Sequence, residues 1–118
     1  MTDLATPVRT LPLGSIRLRD AYCENALSKE IAYLLSLDAG RFLAGFYENA
    51  GIRTPYARYG GWENTLIAGH TPGHYLSALA QACQNAGVCE EDKKRLFEKL
   101  TRMVDGLLEC GARREGFL

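Results

Sequence analysis

From Glu90 to Cys110 the chain repeats apolar residues at helical spacing, and this run constrains the fold more than any other feature. Leu96, Phe97, Leu100, Met103, Val104, Leu107 and Leu108 follow a 3.6-residue period. Glu90, Glu91 and Asp92 suit the positive end of the helix dipole, and Gly111 reads as a stop. One amphipathic helix cannot cover its own stripe, so the chain must supply others. A helix over Asp20–Leu37 carries Leu27, Ile31, Leu34 and Leu35 on one face. Asp38 then N-caps a shorter helix with Phe42, Leu43, Phe46 and Tyr47, ended by Gly51. Thr71-Pro72 reads as an N-cap followed by the first helical position of a third helix. That helix runs to about Ala86, with Tyr75, Leu76, Leu79, Ala80 and Cys83 inward and Gly87 as its stop. The expected fold is all-α, with about four helices. Residues 1–19 read as an extended N-terminal arm: Pro7, Pro12 and Gly14 break a helix, and "SIRLRD" alternates with period two. The arm would form a short strand or lie across the helices.

Composition narrows the function classes. At 118 residues the chain is one domain or part of one. Fourteen basic and fourteen acidic residues cancel, which argues against a nucleic-acid partner. No stretch of about 18 uncharged apolar residues occurs, and the N-terminus carries no signal-peptide pattern, so the expectation is a cytoplasmic protein without a membrane partner. The four cysteines, Cys23, Cys83, Cys89 and Cys110, make no C-x-x-C pair. Cys83 and Cys110 fall on apolar helix faces, as buried free thiols do.

The chemistry concentrates in residues 52–80. A connection as long as 52–71 is usually functional. Tyr59-Gly60-Gly61-Trp62-Glu63 sets two glycines, able to take positive φ, before the only Trp and a carboxylate. A Trp face beside a carboxylate suits a sugar ring, the aromatic stacking on C–H groups and the carboxylate accepting from hydroxyls. The alternative is that Trp62 anchors the core and Glu63 is a helix-start acid. His70 and His74, the only histidines, are spaced i, i+4. Such a pair suits a metal or an oxygen-rich ligand, or else satisfies buried carbonyls. "GHTPGH" lacks the Glu of the zinc-protease helix motif, and a zinc site built from the pair plus one Cys falls short of the usual four ligands. No metal ligand is therefore assigned. No nucleophile elbow, Walker loop or EF-hand occurs.

"YGGWE" followed by "GHTPGHYLSALA" resembles the N-terminal catalytic-domain signature of the β-L-arabinofuranosidases, glycoside hydrolase families 127 and 146. "LPLGSIRLRD" resembles that family's opening strand. "YLLSLDAGRFLAGFYENAGI" resembles its segment of a Leu-Asp pair, an Arg, an aromatic and "AG". "VDGLLEC" and then "GFL" resemble the helix leading into "GDGYL". The resemblance covers about residues 11–118. It implies an (α/α)6 barrel, with residues 20–118 forming roughly its first third. It implies retaining hydrolysis of a β-L-arabinofuranoside by a zinc-held Cys nucleophile with a Glu acid/base. It also implies that Trp62, Glu63, His70, His74 and Tyr75 border the sugar pocket. None of Cys23, Cys83, Cys89 and Cys110 lies in a motif matching the nucleophile or the zinc ligands. The expectation is an N-terminal part of the catalytic domain, without zinc or another cofactor of its own and inactive alone. The alternative is a helical module without catalysis that pairs with a second copy through uncovered helix faces.

Overall fold

The computed structural model describes residues 8–116 and 118. Four α-helices follow one another among them: α1 (Ala21–Ser36), α2 (Ala39–Asn49), α3 (His70–Gln84) and α4 (Glu90–Arg113). No strand forms among the described residues. The arm has only a 3-10 turn at Leu13–Ser15, and its alternating segment leaves Ile16 and Leu18 exposed and unpaired with any strand. An isolated strand has nothing to complete its backbone hydrogen bonds, which is why period-two alternation alone does not make one here. Residues 1–7 of the expected arm lie outside the described residues.

Local chemistry sets the first two helices. The Asp20 carboxylate accepts from the Cys23 amide at 3.0 Å and starts α1. The Asp38 carboxylate accepts from Gly40 at 2.7 Å and starts α2. The end of α1 is closed from outside, where the Lys99 ammonium of α4 donates to the Leu37 carbonyl at 2.6 Å. Burial holds the Lys99 pKa below its ordinary value, although Asp38 nearby favours the charge.

Helix α4 is the spine, packing mainly on α3 and α2 and less on α1. Ile31 and Leu34 of α1, Phe42 and Leu43 of α2, Tyr75 and Leu79 of α3, and Leu96 and Met103 of α4 share one buried cluster. Each fully buried Leu or Met contributes roughly 1.5–3 kcal/mol. Gly106 lets α2 come close, because a Cβ there would stand 2.6 Å from Leu43 Cδ1. The apolar stripe of α4 is wider than the surface that covers it. Phe97, Val104 and Leu108 are 60%, 41% and 66% exposed, and Ala80 of α3 also faces solvent.

Two helix boundaries differ from the sequence reading. Helix α3 starts at His70, ahead of Thr71-Pro72, for a reason given below. Helix α4 passes through Gly111 and ends at Arg113. The left-handed residues that close it are Glu115 and Gly116, and the Gly116 amide returns to the Gly111 carbonyl at 2.8 Å.

The long connection is tied down along its length. The Asp38 amide donates to the Tyr59 hydroxyl at 2.9 Å. The Arg41 guanidinium lies over the Tyr59 ring, 4.0 Å from its centroid, and donates to the Ala57 and Arg58 carbonyls. Arg58 pairs with Glu48. The Phe42 ring packs between those of Tyr59 and Tyr75, at 4.7 and 4.8 Å.

Candidate functional site

The connection reaches α3 through a 3-10 turn, Gly61–Asn64, which opens on Gly61 at φ 66°. The turn sends two neighbouring side chains opposite ways. Trp62 points out and is 61% exposed, whereas Glu63 points in and is 7% exposed.

The Glu63 carboxylate is fully engaged. One oxygen accepts from the Gly69 amide at 2.9 Å and the other from the Thr71 amide at 3.0 Å. The His70 amide between them donates to the Ile67 carbonyl at 3.1 Å. Pro72 has no amide hydrogen, and the Gly73 amide begins the helical ladder on the Gly69 carbonyl. Every donor of the first turn is thus accounted for. This explains the early start of α3: the cap is supplied six and eight residues away in sequence rather than by Thr71, and Pro72 sits where its missing donor costs nothing. Gly69 completes the entry at φ 99°, with the Phe46 ring 3.1 Å from where a Cβ would lie. Burial pushes the Glu63 pKa up, but hydrogen bonds from Gly69 and Thr71, together with nearby His70, outweigh it and hold it below the ordinary carboxylate value.

With α3 beginning at His70, both histidines lie on one helical face and are exposed. Their Nε2 atoms are 3.1 Å apart. The Trp62 indole meets the His70 ring edge-on, with centroids 5.5 Å apart. Trp62, His70 and His74 therefore form one continuous aromatic surface open to solvent. Such a surface offers a π face for C–H groups and imidazole nitrogens for hydroxyls.

Tyr75 is not part of that surface. It is 4% exposed, and its hydroxyl donates to the Leu34 carbonyl of α1 at 3.0 Å. Burial first, then Tyr59 and Asp38, pushes its pKa up to about 12. Glu63 likewise lies beneath the surface, so its role in this geometry is to fix the turn. Behind it a cavity of 210 Å³ is lined by Arg41, Arg58, Phe46, Gly69 and Leu118 among others.

A family profile described as "Beta-L-arabinofuranosidase, GH127 catalytic domain" matches residues 15–118. The chain belongs to this family. No curated protein and no solved structure matches it significantly. The match takes in all four helices, the turn at Trp62 and both histidines.

Among the described residues, no three His, Cys, Asp or Glu side chains are grouped to hold a metal. Cys110 is buried, and the Cys83 thiol, which burial pushes up in pKa, points to the Lys93 carbonyl at 3.9 Å. Cys23 is half-buried on α1, and Cys89 is exposed just before α4.

The sequence reading missed Arg41 and Arg58 as the clamps that orient the turn. Its only trace of Arg41 was the Arg in the family-like segment after the Leu-Asp pair. Their partners lie ten to seventeen residues away, and no local spacing points to those contacts.

Proposed function

We propose that this chain forms one wall of the sugar pocket in a cytoplasmic glycoside hydrolase of the β-L-arabinofuranosidase type. Exposed Trp62 stacks on the C–H face of an L-arabinofuranoside, and the His70 and His74 imidazoles hydrogen-bond its hydroxyls. One observation carries this reading: an indole and two imidazoles share an open surface on a turn held by a buried carboxylate. An aromatic wasted on packing would be buried, and Trp62 is not. The chain alone does not hydrolyse the sugar. The one carboxylate beneath the surface is occupied by two amides and is not free to give or take a proton.

The test is release of L-arabinose from an aryl β-L-arabinofuranoside, with Trp62 emission read as methyl β-L-arabinofuranoside is added. The expected result is no turnover, with a saturable change in emission that His70→Ala and His74→Ala each weaken at least tenfold. Turnover by this chain alone overturns the inactivity. Emission that ignores the sugar overturns the pocket wall.

A second reading is favoured by the uncovered stripe of Phe97, Val104 and Leu108 on α4. It takes the chain as a helical module that associates with its own copy through that face. Light scattering tests this second reading on its own, since sugar contact at Trp62 neither needs nor forbids a second copy.

A further inference from the structure

His70 and His74 face each other across one turn of α3, with nearly perpendicular rings. Two imidazole nitrogens bound to one divalent transition metal, each at about 2.0–2.1 Å and near a right angle, stand about 3 Å apart. The 3.1 Å between the two Nε2 atoms matches that bite. The two nitrogens stand within hydrogen-bond distance of each other, so a shared ion takes the place of that contact, and both rings are exposed, with Trp62 meeting His70 only edge-on. Nickel, copper and zinc ions favour imidazole nitrogen. A helix N-terminus by itself repels a cation, but here the buried Glu63 carboxylate lies against the same turn and offsets that field.

We propose that His70 and His74 form a solvent-open, two-ligand site for a divalent transition metal on the first turn of α3. No group of three His, Cys, Asp or Glu forms among the described residues. Water or hydroxyl oxygens therefore complete the coordination, and the ion exchanges freely. The site differs in ligands from a zinc-held thiolate, and it does not depend on the sugar reading.

Trp62 is the only Trp and its ring centroid lies 5.5 Å from that of His70, so it reports directly on a paramagnetic ion at this site. The test is a titration of the whole reduced chain with Ni²⁺, without sugar, following Trp62 emission. Saturable quenching that fits a single site is expected, reversed by a chelator and by Zn²⁺, which competes without quenching. His74→Ala should weaken it at least tenfold, and the double variant His70→Ala with His74→Ala should abolish it. Helicity by circular dichroism verifies the fold, and His74→Gln replaces any variant that loses it. Quenching that survives the double variant, or is unchanged in His74→Ala, overturns the proposal. So does a wild-type protein that shows no saturation, or a thiolate–nickel absorption band that assigns the ion to cysteine.

Discussion

Glu63 shows how one side chain can satisfy a functional pattern and still be committed to the backbone. Beside Trp62 it fits a sugar-contacting carboxylate, and the same sequence equally allows a helix-start acid. The fold takes the second course, since both oxygens accept amides at the entry of α3. Nothing local distinguishes the two, because the acceptor and its donors are six and eight residues apart and meet only once the turn at Gly61 has formed. Trp62, by contrast, is not a core anchor, since it is exposed. Its exposure depends on the same turn, which residue type alone, favouring a core anchor, does not reveal. Glu63→Ala should leave two first-turn amides without an acceptor and cost about 1–3 kcal/mol. Thermal melting would register this as a loss of several degrees. Glu63→Gln keeps the shape but turns an NH₂ group toward one of the amides, so it should also melt early. A Glu63→Ala protein that melts like the wild type would show that water replaces the carboxylate without loss.

At the scale of elements, what was legible tracks where each cap comes from. Asp20 and Asp38 cap their own helices, and both starts were readable from the sequence. The start of α3 was not, because its cap is non-local, and the end of α4 was not, because Gly111 is carried through the helix and Glu115 and Gly116 make the turn. Tyr75 shows the same dependence on tertiary contact. It was readable both as an inward helix residue and, by resemblance, as a pocket residue, and the structure has it joining α3 to the last turn of α1 through Leu34. That junction should carry a pH signature. The Tyr75 pKa rises from 10.0 to about 12 in the fold, so its neutral form is the one the native state favours. Its contribution is complete below pH 10 and is lost as pH rises toward 12, on the order of 2–3 kcal/mol in all. Tyr47, also raised by burial and then by Glu109, adds to the slope. Tyr75→Phe should be less stable at neutral pH, by about 1 kcal/mol for the lost hydrogen bond. It should also lose stability less steeply between pH 10 and 12. Denaturant melts across that range would show it, and identical slopes would sink the assignment.

At the scale of the molecule, an all-α chain was legible because four stripes with helical period leave no other option. What periodicity could not say is how much of each stripe would find a partner. The radius of gyration is 18.2 Å, against roughly 13–14 Å for a compact domain of this length. An open arrangement of this kind leaves one side of α4 bare. Phe97, Val104 and Leu108 lie along one line of that helix, at spacings of seven and four residues, and add nothing to the core while they face water. Covering them, whether with another helix or with a second copy, would contribute roughly 1.5–3 kcal/mol for each side chain fully buried. The free chain should therefore self-associate as its concentration rises, with light scattering moving above the monomer mass. Phe97→Glu combined with Leu108→Glu should return it to monomer while leaving the melting temperature within a few degrees, since neither residue supports the buried cluster. A wild-type chain that stays monomeric at high concentration would show that this face is tolerated in water, and the association reading would fall while the sugar surface on the α3 side stands untouched.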